Sequence, residues 1–413
     1  MKNIFILLTI FLSSQLYAQE IGRFTLQMDD EYISMPVAIP LDQFNYNVDE
    51  GSLALYEVST SKEVYVPSQL EAGHNSKLLF ILKNVVPKKT NRTFIIKLEK
   101  EEQTQKLANK INKTRKDLII STDDKPVLNY RYATTYPPEG VSELFKRSGF
   151  IHPLYSPGGQ VLTRIQAPDH YHHYGIWAPW TRTTIDGRAV DFWNLASGEG
   201  TVQYANTLSE VSGEVFSGFK VLQEHIDFGG KGPDRVAMNE LLDVRVWNVD
   251  EKVNVVDYTS TFNTSLANGI MLDAYRYGGG LGYRAIEKWT KDNSSVLTSE
   301  GKARIDADGS RARWCIVEGE SDVQEGRSGI LFLSHPSNRM HPEPMRVWPI
   351  DANEGRGDMY FEFTPIRYEA WEFKPLQDYT LKYRMIIFDG EMNKETAEKY
   401  WRSFSKSPIM SPL

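Results

Sequence analysis

Leu241 to Ser265 reads LLDVRVWNVDEKVNVVDYTSTFNTS. Two runs of alternating apolar and polar residues flank NVDEK. Alternation at a period of two marks a strand with one buried face, and a polar turn between two such runs marks a hairpin. The signal recurs from about residue 118 to residue 390, in ARIDADG, GILFLSH, MYFEFTP and YTLKYRMIIFDG, without intervening helical periods. Strands in that order build antiparallel sheets rather than βαβ units. The expectation is an all-β protein whose main body is a large antiparallel β-sandwich, supersandwich-like. One helix is predicted at its C-terminal edge, over NKETAEKYWRSF, Asn393 to Phe404.

Working outward, residues 19–98 carry shorter strand signals, among them GRFTLQM, KLLFILK and RTFIIKLE, and predict a small β-sandwich accessory domain. Residues 99–117, EKEEQTQKLANKINKTRKD, are charged and nearly free of large apolar side chains, which predicts a linker or solvated helix. Residues 118–413 then form the large β-sandwich, expected to be catalytic. Residues 1–18, MKNIFILLTIFLSSQLYA, have a basic start, an apolar centre and a small residue at the end. They read as a signal peptide, so the expected location is the periplasm.

Of 413 residues, 41% are hydrophobic and 24% charged, with a formal net charge of -7 and no basic block. That balance argues against nucleic-acid binding. No run reaches the ~20 apolar residues of a spanning helix. The single cysteine, Cys315, sits in a strand-like run and leaves neither a disulfide framework nor a thiolate metal cluster. Oligomeric state is not legible.

Three of the eight histidines fall in PDHYHHYGIW: His170, His172 and His173. A regular strand would put His170, His172 and Tyr174 on one face and His173 on the other. Convergence needs a turn or bulge, which Gly175 permits. Neutral imidazoles bind divalent metals, with Asp169 as a fourth donor, although the spacing matches no common zinc signature. They also serve as acids and bases near neutral pH, or hydrogen-bond sugar hydroxyls. No cofactor is fixed by the sequence, and a divalent metal at the cluster stays open. His152, Arg164, Trp177, Arg182, Arg276, Arg284 and His335 lie on strands and Gly-, Trp- and Arg-rich loops of the same region. Flat aromatic faces and guanidinium forks suit an anionic sugar. YGGGLG, without a following helix, reads as a tight turn or a backbone approach to ligand.

The stretch GFIHPLYSPGGQVLTRIQAPDHYHHYGIW, Gly149 to Trp177, together with YGGGLGYR, resembles the PmoA-like family of secreted bacterial proteins associated with polysaccharide degradation. The resemblance spans roughly residues 125–390. It implies an ulvan oligosaccharide dehydratase type of activity: a lyase that removes water from the non-reducing terminal uronic acid and leaves an unsaturated uronate. That family commonly reads HPHHRG where this chain has HYHHYG, so Tyr171 and Tyr174 depart from it. On this reading His170 or His173 is the base and Tyr174 or His152 the acid. Arg164, Arg182, Arg276 and Arg284 hold carboxylate or sulfate, with His172, Trp177 and His335 as further substrate contacts.

Three other readings compete. A glycoside hydrolase needs two facing carboxylates, and Asp169, Asp186, Asp191, Asp273, Glu343 and Glu362 are not paired by any motif. A non-catalytic carbohydrate-binding protein would explain the aromatic loops. A sugar epimerase of mutarotase type would share fold and histidine chemistry.

Overall fold

The computed structural model describes residues 19–44, 46, 52–60, 62–99, 109–250, 252–323 and 325–413. The expected signal peptide lies outside them. Among the described residues every strand pairing is antiparallel, and the only helix longer than one turn is Lys394–Ser405.

The hairpin of the opening stretch forms as read. Arg235–Asp250 pairs with Val253–Asn263, in register from Asn239 opposite Asn263 to Trp247 opposite Val255, with a one-residue shift before Asp250 meets Val253 at the turn. These two strands are central in an eight-stranded sheet that ends on Gly200–Val211 and Ser294–Thr298. Leu242, Val244 and Val246 project from one face into the main core. Near the turn the alternation fails, because Trp247, Val249, Val253 and Val255 are buried on the other face as well. That second face is covered by Leu79 and Ile81 of the N-terminal domain and by Ala397 and Tyr400 of the helix. Asn393 caps the helix by accepting a hydrogen bond from the Thr396 amide, as Asn does at helix starts.

Opposite lies a nine-stranded sheet that includes Lys125–Arg131, Phe150–Leu154, Ile176–Trp177, Leu281–Arg284, Glu343–Val347 and Tyr360–Phe363. The main core between the sheets holds Tyr130, Trp180, Phe219, Phe262, Tyr283, Phe361 and Tyr383. Strand alternation decides what faces away from it. Leu281 and Tyr283 point into the core, so Arg284 points out; Phe361 and Phe363 point in, so Tyr360 and Glu362 point out.

The N-terminal domain is a sandwich of a five- and a three-stranded sheet around Phe24, Leu55, Phe80, Phe94 and Ile96. Two expectations are corrected here. Within the predicted linker, Asn109–Lys113 is a strand at the edge of the nine-stranded sheet, paired with Asp117–Thr122. Asn109 is buried and donates to the Val246 carbonyl at 3.0 Å, while Lys110 and Lys113 face solvent. Lysine on an edge strand blocks further pairing, and this gives the segment its linker-like composition. Residues 100–108 lie outside the described set. Second, the last strand, Ile409–Pro412, does not belong to the large sandwich. It pairs with Gln19–Gln27, Phe24 opposite Pro412, and completes the N-terminal sheet.

Candidate active site

The site lies on the outer face of the nine-stranded sheet. Its floor is the aromatic cluster Phe150, Tyr174, Trp177, Trp193, Trp348 and Tyr360. Over it runs a two-stranded ribbon, Ile165–Ala167 against His170–Tyr174. Ile165 opposes Tyr174 and Ala167 opposes His170, so one strand advances two residues while the other advances four. Tyr171, His172 and His173 bulge against the single residue Gln166, which has a φ of 48°. A bulge breaks the period-two alternation and re-aims side chains. All three imidazoles therefore converge, with ring centroids 4.7 to 5.3 Å apart. Gly175 turns the chain back into the sheet at a φ of 65°, where a Cβ would sit 2.3 Å from the Ile151 carbonyl oxygen.

The three histidines occupy different environments. His173 is fully buried, stacked on Trp193 at 5.6 Å and on Tyr360 at 5.1 Å. Burial, His172, Arg284 and His170 hold it well below the usual imidazole range, so it is neutral. Arg284 Nη1 lies 3.2 Å from its Nδ1. A guanidinium only donates, so the ring proton of His173 sits on Nε2. His172 is half-buried, edge-on to Trp193 at 5.3 Å, and pushed down to about 3 by burial and by the His170 and Arg284 charges. His170 is the most open of the three, its side chain 30% exposed, with Nδ1 2.8 Å from Asp169 Oδ2.

Asp169 anchors a chain of charges. Burial works against its ionised form, but the His170 hydrogen bond and the Arg284 charge hold the carboxyl well below the usual range. Arg284 Nη2 donates to Asp169 at 2.8 Å and to Asp358 at 2.9 Å, and Asn353 Nδ2 bridges the same two carboxylates at 2.8 and 2.6 Å. Arg356 pairs with Asp358 and Glu287, and Arg164 with Glu287 at 3.3 Å. Ionised Asp169 accepts the proton on His170 Nδ1, which turns His170 Nε2 toward the open side as the atom that exchanges a proton. The arrangement orients one imidazole against a carboxylate and sets a second, neutral imidazole beside it.

The expected site residues divide accordingly. His170, His172, His173, Trp177 and Arg284 are brought together. Trp177 is a fully buried wall 5.5 Å from His173 rather than an exposed platform. Arg284 is 1% exposed and saturated by two carboxylates, so it positions the cluster instead of clamping an anion. Arg164 pairs with Glu287 through Nη2 at 3.3 Å, while its buried Nη1 has no hydrogen-bond partner among the described residues. Tyr174 is corrected as the acid: its hydroxyl donates to the Phe145 carbonyl and accepts from Gln166, and burial pushes it up to about 12. His152 bonds Thr163 Oγ1 at 2.9 Å, and burial with the Arg131 charge pushes it down to about 4. His335 packs on Phe404 of the C-terminal helix, outside the cluster. Arg182 and Arg276 are exposed, over Tyr275 at 4.1 Å and Tyr277 at 5.3 Å. YGGGLG is a tight turn against its own core: a Cβ on Gly279 would strike Trp180, and one on Gly280 the Phe363 carbonyl.

Sequence reasoning missed Asp358, Asn353 and Tyr360. Their signal was the acid- and glycine-rich loop DANEGRGD between two strands, the type of loop that carries function. Glu343 on the core side and Glu362 on the outer face beside Tyr360 are buried, hydrogen-bonded acids pushed up by burial to about 7 and about 8, not an exposed facing pair. Metal-binding capacity is confined to one place among the described residues: one donor atom from each of His170, His172 and His173 lies within 4.8 Å of the others.

No curated protein matches the chain. Residues 117–402, which carry the eight-stranded sheet, all of the nine-stranded sheet but its edge strand Asn109–Lys113, the histidine bulge and the Arg284 network, match the model of a family of unknown function (DUF6807), and the chain belongs to that family.

Proposed function

We propose that the protein is a hydro-lyase acting on an anionic sugar, eliminating water from the non-reducing terminal uronate of an oligosaccharide, in the periplasm. The observation that carries this reading is the Asp169–His170 dyad beside neutral His172. Elimination needs a base at C5, next to the carboxylate, and an acid at the C4 oxygen. His170 Nε2 takes the C5 proton while Asp169 stabilises the imidazolium that forms. The C–H electron pair becomes the C4–C5 double bond, the C4–O bond breaks as the His170 imidazolium hands the abstracted proton to the C4 oxygen, which leaves as water, and the ring N–H of neutral His172 donates a hydrogen bond to that oxygen. Half-exposed Tyr277, 5.3 Å from the enclosed Trp193 that packs on His172, lies beside the place for the sugar ring. The test is mass spectrometry of uronate-terminated oligosaccharides with ultraviolet absorbance in parallel. Loss of one water without shortening, with a new unsaturated-uronate band, is the expected result. Shortening with water gained would make it a hydrolase, and no change would leave sugar binding.

A second reading rests on the triad itself, as a site for a divalent metal. A tetrahedral zinc with nitrogens at ~2.0–2.1 Å holds its ligands about 3.3 Å apart. The donors would have to close in from as far as 4.8 Å, with the cationic Arg284 against one ring. Elemental analysis after dialysis against zinc decides: one metal per chain favours this reading, and a trace amount favours the dyad.

A further inference from the structure

Beyond the histidines, an aromatic file leads away over the surface. His172 meets Trp193 at 5.3 Å, Trp193 meets Tyr277 at 5.3 Å, and Tyr277 meets Tyr275 at 5.9 Å. Trp193 is held in place by Asp191, whose Oδ1 accepts the Trp193 and Asn194 amides at 2.8 Å. Burial falls along the file, from the enclosed Trp193 to the half-exposed Tyr277 and Tyr275. Each tyrosine carries an exposed guanidinium against its ring, Arg276 on Tyr277 and Arg182 on Tyr275, while the buried Arg346 lies over Tyr277 at 4.8 Å and donates to its hydroxyl at 2.9 Å.

Those two arginines differ from their neighbours. On the adjoining loops Arg346 and Arg367 pair with Asp308, Arg339 with Glu369 and Arg188 with Asp227. Among the described residues, Arg182 and Arg276 have no carboxylate within ion-pair distance, and each is held by its tyrosine alone. Stacking on an aromatic ring orients a guanidinium while leaving its in-plane N–H donors open, and those donors match carboxylate and sulfate oxygens in bidentate fashion. Solvated cations placed only for solubility do not require such a platform.

We propose that Arg276 on Tyr277 and Arg182 on Tyr275 mark successive subsites for an acidic oligosaccharide, each taking the carboxylate or sulfate of one sugar unit on the guanidinium that the tyrosine orients. This rests on the sugar-site reading above and deepens it: the substrate is a chain of at least three units with repeated negative charge, not a free uronic acid. Specificity for length and charge then resides in this file, while the reacting sugar is held at the histidines.

Calorimetric binding tests the inference without turnover. The probes are glucuronate, an unsulfated tetrasaccharide ending in a saturated uronate, and its sulfated counterpart. Wild-type protein is expected to prefer the sulfated tetrasaccharide, with the preference weakening as salt rises. R182A and R276A should each reduce that preference roughly tenfold, the scale of one charge-assisted hydrogen bond. R182K and R276K should restore it only in part, because lysine keeps the charge but not the fork. Thermal unfolding of each variant checks the fold. An equal loss for glucuronate and tetrasaccharide would overturn the extended file, since the arginines would then serve the reacting sugar. No loss in either variant, or no tetrasaccharide preference in the wild type, would overturn it too. Binding that follows these variants in a protein that releases no water would uphold the subsites and remove the hydro-lyase reading. Water release with variant-independent binding would do the reverse.

Discussion

Arg284 is the residue on which the site turns. It is nearly inaccessible, yet it meets Asp169, Asp358, His173 and the face of Trp348. Burial lowers its pKa while the two carboxylates oppose that shift. Removing one partner from a buried ion pair leaves the others uncompensated, which costs more than the pair itself contributes. R284M is therefore expected to destabilise the fold by roughly 3 kcal/mol, read as a shifted midpoint in urea denaturation. D169N should instead act on chemistry. The imidazole loses the carboxylate that fixes its tautomer, and turnover of a uronate-terminated oligosaccharide should fall by ~10² or more. Glu343 makes a pH prediction. Burial pushes it up to about 7 against hydrogen bonds from Ser334, Asn338 and Tyr383. The folded state holds this proton more tightly than the unfolded state, so its contribution is complete below about pH 4.5 and is lost as pH rises through about 7. Stability should decline across that window by up to roughly 3 kcal/mol, and E343Q should flatten the decline in denaturation curves recorded at each pH.

At the scale of elements, the bulge of His170–Tyr174 matters more than any one side chain, and its hinge is Gly175. G175A would place a methyl group against the Ile151 carbonyl in a left-handed conformation. A loss of roughly 2–4 kcal/mol is expected, together with altered aromatic proton shifts of His170 and His172, because the ribbon cannot close onto the sheet. Regular elements were the legible part of this protein. The hairpin around NVDEK, the strands in GILFLSH, MYFEFTP and YTLKYRMIIFDG and the capped helix follow from periodicity and end signals, whereas ARIDADG, read as a strand, is a helical turn over Arg304–Ala307. The convergence of the histidines was legible only as a condition, a bulge or nothing, because pairing register depends on residues 165–167 and not on the motif. Arg284 looked like an anion clamp because a sequence shows its charge but not Asp169 and Asp358 on either side of it. Tyr174 looked like an acid because the Phe145 carbonyl that holds its hydroxyl lies 29 residues away. Charge spacing misled once more at Asn109–Lys113, where an edge strand carries the lysines of a linker.

For the whole molecule, the C-terminal segment adds two joints between the sandwiches to the direct packing of Leu79 and Ile81 on the large sheet. The C-terminal helix lies between the large sheet and the strand Tyr32–Pro40, with Ser403 Oγ accepting the Ile33 amide at 2.8 Å. Beyond it Ile409–Pro412 reaches the N-terminal sheet, where Leu413 donates its amide to the Arg23 carbonyl at 2.9 Å. Truncation after Ser407 should expose the edge of Gln19–Gln27. Hydrogen exchange is expected to accelerate across that strand and its partner Asn91–Glu99, while the large sandwich keeps its protection. The joint also sets an order of assembly. A chain is made from its first residue to its last, and early domains ordinarily fold as they emerge. Here Gln19–Gln27 precedes the large sandwich and its border strand Ile409–Pro412 follows it. The small sandwich thus closes only after the large one has been made, and until then its open edge must stay free of other chains.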